Sequence, residues 1–228
     1  MKASLKLNLT VIDRLLVKQY GDPKPWRENP LDSLIATILS QNTNDKNSSA
    51  ALDAMRRAFP TWKDVMNADL AKLEEALRPG GLAKTKSRRI QEILRAISRR
   101  GSFNLGYLAK LSPDDAEKEL LKFHGVGRKT ARCVLLFALH KDVFPIDTHI
   151  ERVLKRVAVL PQKMPAEKAH TYIAPAIPSG RCLALHLNLI FHGRRVCHAR
   201  KPECGICILR RSCPCPLKRA PGSPFEGG

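Results

Sequence analysis

The stretch LKFHGVGRKTA, residues 121–131, decides how this chain folds, because it joins two predicted helices through a turn with two glycines. Apolar periodicity predicts a helix over 113–122 before the turn and another over 129–140 after it. Gly125 and Gly127 can adopt positive φ and let the backbone approach a ligand closely. The second helix begins with unpaired N–H groups, which can bind a phosphate. We therefore expect a helix, a tight turn and a helix, with a phosphate site at the turn.

Spacing excludes two nucleotide-binding loops at this turn. A P-loop needs glycine directly before its lysine, whereas Arg128 precedes Lys129, and a dinucleotide-binding turn needs a third glycine where Thr130 stands. The remaining alternative is a helix-capping turn with no ligand. If the turn does bind a polyanion, the candidate contacts are Gly125, Val126, Gly127, Arg128 and Thr130.

Helical periodicity recurs along the rest of the chain. A first apolar face is formed by Leu31, Leu34, Ile35, Ile38 and Leu39, at the spacing of one helix face. Further helices are predicted at about 48–58, 68–77, 84–99, 148–158, 166–174 and 181–192. No segment of comparable length alternates as a strand would, so the predicted fold class is all-α. The final stretch, 216–228, is rich in Pro and Gly and is predicted to be disordered.

Four of the seven cysteines lie within seventeen residues, at Cys197, Cys204, Cys207 and Cys213. The chain shows no secretory signal and is expected to be intracellular, in the cytoplasm or nucleoid, where clustered thiols indicate metal ligation more than disulfides. Structural zinc sites usually combine two Cys-x-x-Cys pairs, and only one occurs here. One compact run of four thiolates therefore favours a [4Fe–4S] cluster, with zinc as the alternative. Cys215 is either a spare thiol or a competing ligand.

The charge of the chain predicts a polyanionic partner. It has 40 Lys and Arg against 21 Asp and Glu, a formal net charge of +19. Nucleic acid is favoured over a membrane surface, because no uninterrupted apolar run approaches the roughly 20 residues of a spanning helix. Between the first two clustered cysteines, the loop at 198–203 carries Arg200 and Lys201, which either contact the DNA backbone or are simply solvated.

A second polar segment, FPIDTHI at residues 144–150, lies eighteen residues beyond Lys129 and precedes a predicted helix. Asp147 stands where an N-cap is expected, and aspartate caps helices well. Capping alone would explain this residue. Similarly, Lys129 could be one more cation that faces a phosphate.

Taken together, residues 125–131, the segment 147–150 and the cysteine run resemble the endonuclease III family of helix–hairpin–helix DNA glycosylases. The resemblance extends over about residues 30–213. It implies a bilobal α-helical enzyme with a DNA cleft between its lobes. Residues 31–143 would form a helical barrel lobe that ends in the hairpin motif, whereas residues 1–30 and 144–228 would form a lobe that holds the iron–sulfur cluster.

The resemblance also implies roles for individual residues. Lys129 matches the family's catalytic lysine, which attacks C1′ of the damaged nucleotide and forms a Schiff base before β-elimination. Asp147 matches the catalytic aspartate, which would stabilise positive charge or transfer protons. His149 is expected to contact DNA beside it. The extruded base leaves a gap in the stack, which Leu82 and either Gln41 or Asn42 would fill.

The function predicted from these features is that of a bifunctional DNA glycosylase and abasic-site lyase for oxidised pyrimidines in duplex DNA, acting as a monomer. One alternative is a mismatch-specific glycosylase of the same superfamily. Such enzymes usually lack the lysine and carry a glutamate in the first barrel helix, where this chain has only Asp32. The other alternative is a non-catalytic iron–sulfur DNA-binding protein.

Overall fold

The computed structural model describes the backbone of residues 2–215 and the side chains of residues 9–215, and it divides the chain into two compact units. One unit joins the chain up to Pro25 to the chain from Phe144 onward, and the other spans Trp26–Val143. The predicted disordered tail, 216–228, lies outside the described residues. All regular structure in the described part is helical, which confirms the all-α prediction. None of the described helices is long and apolar enough to cross a bilayer.

The α-helices are numbered here in chain order. They are α1 (Lys2–Tyr20), α2 (Pro30–Leu39), α3 (Asp45–Ala58), α4 (Trp62–Asn67), α5 (Leu70–Leu77), α6 (Ala83–Ser98), α7 (Pro113–Leu121), α8 (Arg128–Phe137), α9 (Thr148–Arg156), α10 (Ala166–Ile173) and α11 (Cys182–Arg195). Short 3-10 helices occur at Arg78–Gly80, Gly106–Lys110, Ala174–Ala176 and Arg210–Ser212. Each predicted helix has a counterpart with similar bounds, and the short helix α4 was not predicted.

The Trp26–Val143 unit is built around one apolar core, to which α2 contributes a complete buried face. The residues predicted to lie on that face, Leu31, Leu34, Ile35, Ile38 and Leu39, have no exposed surface. Five helix starts of this unit are capped by side chains, and among them Asn29 caps α2 and Ser112 caps α7 through the N–H of Asp115, with Pro113 following as predicted. Such a cap contributes about 1 kcal/mol.

In the other unit, α1 and α9 pack against α11. The helix α1 was not predicted, although Leu9, Ile12 and Leu16 lie on one face and are buried. An ion pair joins α1 to the start of α11, where Nε of Arg181 lies 2.7 Å from Oδ2 of Asp13. This unit carries both the Asp147 segment and the cysteine run.

Candidate active site

The predicted helix–turn–helix forms from α7, a hairpin at residues 122–127 and α8. Gly125 has φ +77°, a left-handed conformation that strains other residues. Gly127 is the N-cap of α8, so no side chain caps this helix, and nothing lies within 4 Å of the point where a Cβ would stand. The first N–H groups of α8 are therefore accessible to an anion.

A side-chain relay connects this hairpin to the end of α2. The Nη1 of Arg89, on α6, donates to Oε1 of Gln41 at 2.8 Å, and Nε2 of Gln41 donates to the hydroxyl of Thr130 at 3.2 Å. Arg89 also packs against the backbone of Gly125. The predicted DNA contacts Val126 and Thr130 are buried, so Val126 could reach a phosphate only through its backbone.

Lys129 lies half-buried in the first turn of α8, two residues after the open glycine Gly127. Its neighbour Arg128 forms an ion pair within the same unit, since its Nε lies 3.1 Å from the buried carboxylate of Glu117. Arg132 pairs with the same carboxylate at 2.9 Å. Glu117 thus ties the two helices of the hairpin motif together and balances two of its cations.

Three exposed residues of this unit, Asn42, Leu82 and His140, have left-handed backbones without being glycine. Asn42, just after α2, has φ 54°, and Leu82, just before α6, has φ 52°. Leu82 is 55% exposed, which is unusual for a large apolar side chain. Strained conformations of this kind cost roughly 1–3 kcal/mol and concentrate at functional sites. Gln41, by contrast, is tethered by its two hydrogen bonds.

Asp147 belongs to the other unit, where it is the N-cap of α9. Its Oδ1 accepts from the N–H of Ile150 at 2.8 Å, so capping uses one carboxylate oxygen only. Two buried histidines hold the segment before it: Nδ1 of His170 lies 3.2 Å from the carbonyl oxygen of Phe144, and Nδ1 of His186 lies 3.0 Å from that of Pro145. The carboxylate therefore stands on a rigid, buried support.

His149 is half-buried near Asp147. Burial lowers the pKa of His149, and the charge of Asp147 partly opposes this effect. Its Nδ1 lies 3.1 Å from Nη2 of Arg152. Because a guanidinium can only donate, Nδ1 is the acceptor and the proton of the neutral ring lies on Nε2.

The four predicted ligands, Cys197, Cys204, Cys207 and Cys213, are all half-buried free thiols. Burial raises the pKa of Cys207 to about 11, and repulsion from the other three thiols adds to this effect. The sulfurs of the other three cysteines are therefore close enough to that of Cys207 to interact with it electrostatically. Within the described residues, however, no three His, Cys, Asp or Glu side chains form a group that could hold a metal ion.

The surroundings of these thiols include a cation and a fifth cysteine. The site has cationic support, because Nη1 of Arg156 lies 3.3 Å from Sγ of Cys197. Cys215 lies near enough to raise the pKa of Cys204, so the structure leaves it beside the site.

The predicted DNA-contacting loop at 198–203 is held in shape from α9. Arg156 donates to the carbonyl oxygens of His198 and Ala199 at 2.6 Å and 3.0 Å. Arg200 and Lys201 are exposed on this loop. The loop thus presents two cations on a backbone that the protein itself restrains.

Two residues that shape the site, Arg89 and Lys86, were not predicted from the sequence. Lys86 is buried on α6 and donates to two backbone carbonyls. A signal for it existed, because Lys86 lies four residues before Ile90 and so falls on the apolar stripe of its helix. A lysine in that position indicates a special role more than a solvated side chain.

Comparison with known proteins identifies the family. Residues 35–177 match the family model described as HhH-GPD superfamily base excision DNA repair protein. The chain belongs to this superfamily, and its relatives are of the endonuclease III type. The family and the enzyme class predicted from the sequence, a DNA glycosylase and abasic-site lyase of base excision repair, are thereby confirmed.

The relatives differ in how much of their length the chain spans. An Arabidopsis thaliana protein provisionally named a DNA glycosylase is 37% identical over 76% of this chain, which spans 60% of that protein. Endonuclease III of Sulfolobus acidocaldarius is 33% identical over 81% of this chain and 82% of its own. A solved structure of a trapped endonuclease III–DNA covalent intermediate superposes with a TM-score of 0.79, at 28% identity over 92% of this chain and 95% of that one.

Proposed function

We propose that this chain excises oxidised pyrimidines from duplex DNA as a monomer and then cleaves the abasic site, with Lys129 as the nucleophile. The observation that carries the proposal is the position of that lysine, which is half-buried in the first turn of α8, two residues after the open N-cap glycine Gly127. A DNA phosphate bound by the N–H groups of that turn would hold the strand next to Lys129.

The chemistry follows from the amine. Neutral Nζ of Lys129 attacks C1′ while the bond to the base breaks, and the base leaves with the electron pair and takes up a proton. The amine then loses its protons as the sugar ring opens, which gives a Schiff base. Removal of a proton from C2′ expels the 3′ phosphate oxygen by β-elimination. Hydrolysis of the imine returns the free lysine.

Asp147 would act on the same sugar as a charged group. A carboxylate stabilises the positive charge that develops at C1′ and can carry protons between the amine and the leaving base. The capping bond uses only Oδ1, so the second oxygen is left for this task. The buried support of the 144–145 segment keeps the carboxylate in one position, and a preorganised charge stabilises a transition state more than a mobile one does.

Asn42 and Leu82 are the residues that we propose enter the gap left by the extruded base. Both are exposed tips with left-handed backbones. Gln41, the alternative to Asn42, has its amide bonded on both sides to Arg89 and Thr130, and would have to give up those bonds to enter DNA. Gln41 therefore supports the hairpin, and Asn42 fills the gap.

A [4Fe–4S] cluster held by Cys197, Cys204, Cys207 and Cys213 is the cofactor that we propose. The four half-buried thiols, close enough for Cys207 to interact with the other three, and the guanidinium of Arg156 beside them, suit a thiolate-ligated iron cluster. The group would supply structure to the loop at 198–203, because neither step of the reaction needs an electron. Iron and sulfide analysis would test this assignment, and stoichiometric zinc without iron would contradict it.

A nucleophilic amine and the carboxylate on α2 distinguish this enzyme from its two alternatives. A mismatch glycosylase would need a catalytic carboxylate on α2, but Asp32 accepts from Nε1 of Trp62 at 3.0 Å and pairs with Arg56 at 3.3 Å. A non-catalytic DNA-binding protein would need no reactive lysine at all.

Borohydride trapping tests the proposal directly. Wild type, Lys129→Ala and Lys122→Ala would be incubated with duplex DNA containing either an abasic site or thymine glycol, and then reduced. We expect a covalent complex with wild type and with Lys122→Ala, an exposed lysine at the other end of the hairpin, but none with Lys129→Ala. No complex with wild type, or an equal amount with Lys129→Ala, would remove the lyase assignment.

A further inference from the structure

We propose that Lys86 is a positioning residue that holds the tips at Asn42 and Leu82 at a fixed spacing, so that both enter the DNA together. The inference rests on the proposed function, because it takes these tips to fill the space of an extruded base. It concerns a residue outside the hairpin and the cysteine site, within the Trp26–Val143 unit alone.

The contacts of Lys86 are with the two chain segments that lead into the tips. Its Nζ donates to the carbonyl oxygen of Leu39 at 2.7 Å and to that of Gly80 at 2.9 Å. Leu39 ends α2, three residues before Asn42, and Gly80 ends a 3-10 helix two residues before Leu82. One ammonium group therefore joins two segments that are far apart in sequence, directly beneath the tips.

Burying an ammonium group to join these two segments costs free energy. Lys86 is only 2% exposed, and among the described ion pairs none includes it. Burial accordingly lowers its pKa. Buried lysines usually have a carboxylate partner, whereas this one relies on two neutral carbonyl oxygens. An apolar side chain would fill the space at less cost but could not bond both segments. The role of the ammonium group is thus to hold the carbonyl oxygens of Leu39 and Gly80 at a fixed distance from each other.

The tips need such a restraint. Asn42 and Leu82 adopt left-handed backbones, which persist only where the surrounding structure determines them. Fixing the carbonyl oxygens of Leu39 and Gly80 fixes the direction in which the chain leaves each helix. A second contact supports the Gly80 side, where a Cβ would lie 3.0 Å from Cβ of Ala51, so this backbone is also closely packed.

The test compares two reactions that differ in their need for the tips. Removal of thymine glycol requires a base to leave the stack, whereas cleavage at a preformed abasic site does not. In single-turnover assays, we expect Lys86→Met to slow base excision about tenfold or more, since small misplacements have large kinetic effects. Abasic-site cleavage should stay within about threefold of wild type. Lys72→Met, an exposed lysine on α5, is the matched control and should change neither rate.

A double-mutant cycle separates positioning from general destabilisation. With Asn42→Ala/Leu82→Ala as background, Lys86→Met should have little further effect on base excision, because the two tips that it positions are gone. Urea unfolding of each variant ensures that the assays are run on folded protein. Equal losses in both reactions, an unchanged excision rate, or the same loss in both backgrounds would overturn the positioning role.

Failure of the proposed function would be recognised separately. If wild type neither excises nor cleaves, that function is wrong, and fluorescence of 2-aminopurine beside an abasic analogue in bound DNA decides the role of Lys86. Equal fluorescence with wild type and Lys86→Met would then overturn the inference, whereas a weaker signal with the variant would support it.

Discussion

The side chain of Arg89 fills the space that a side chain at Gly125 would need, since a Cβ built on Gly125 would overlap Nε of Arg89. The backbone of Gly125 also has φ +77°, so two independent constraints require glycine. A side chain on α6 therefore takes part in shaping the hairpin, in addition to the residues of the hairpin itself.

The two hairpin glycines should respond differently to alanine. Gly125→Ala should lower the free energy of unfolding by about 1–3 kcal/mol, because it combines a left-handed backbone with a clash. Gly127→Ala should leave stability unchanged, because its surroundings are open, but should weaken DNA binding by obstructing the N–H groups of α8. Urea unfolding and fluorescence anisotropy with duplex DNA would measure the two effects. A Gly127→Ala variant as unstable as Gly125→Ala would contradict this view.

The capping role and the proposed catalytic role of Asp147 can be tested separately. Asn caps helices about as well as Asp, so Asp147→Asn should keep the bond to Ile150 and the stability, whereas Asp147→Ala should lose about 1 kcal/mol. Both variants should lose about 100-fold or more in base excision, because the charge is gone. Thermal unfolding and single-turnover kinetics test the pair. An Asp147→Asn variant with full activity would reduce the residue to a cap.

Glu117 is predicted to be the most costly carboxylate to remove from the hairpin motif. Glu117→Ala would leave the largely covered guanidinium of Arg132, whose side chain is 11% exposed, without this carboxylate, and removing one partner of a buried pair typically costs about 3–5 kcal/mol. The matched control is Glu75→Ala, since Glu75 pairs with Arg78 at the surface and should contribute less than about 1 kcal/mol. Urea denaturation distinguishes the two, and similar small changes in both variants would show that the pair with Arg132 contributes little.

The cysteines should fall into two groups by iron content. Cys204→Ser and Cys207→Ser should each lose iron and visible absorption, because a cluster that lacks a thiolate is poorly held. Cys215→Ser and Cys182→Ser should retain both. Metal analysis of proteins purified without oxygen provides the readout. Loss of iron from Cys215→Ser, with retention in Cys204→Ser, would mean that Cys215 is a cluster ligand and Cys204 is not.

Lys86 should leave a signature in the pH dependence of stability. Burial lowers its pKa in the folded protein below the ordinary value of 10.5, so the unfolded chain binds more protons between the two pKa values. Stability therefore rises with pH through that window. The difference in unfolding free energy between wild type and Lys86→Met should therefore shift in favour of wild type as the pH rises towards the ordinary lysine pKa of 10.5. A difference that is flat or falls with pH would contradict the direction.

Much of this site was predictable from local sequence. Caps such as Ser112 and Asp147, and the glycine turn between α7 and α8, depend on residues within a few positions of each other. The face of α2 followed from period alone. The missed α1 has the same kind of face, but its wide spacing from Leu9 to Leu16 gives a weak signal.

Sequence by itself determined the helices, the hairpin and the run of thiols, because each depends on backbone preferences and spacing over a short stretch. Only the tertiary structure decided that Gln41 is tethered, since its bonds reach Arg89 and Thr130, 48 and 89 residues away. The same holds for the bond from Lys86 to Leu39 across 47 residues. No local pattern encodes such contacts, because they exist only once packing has brought separate helices together.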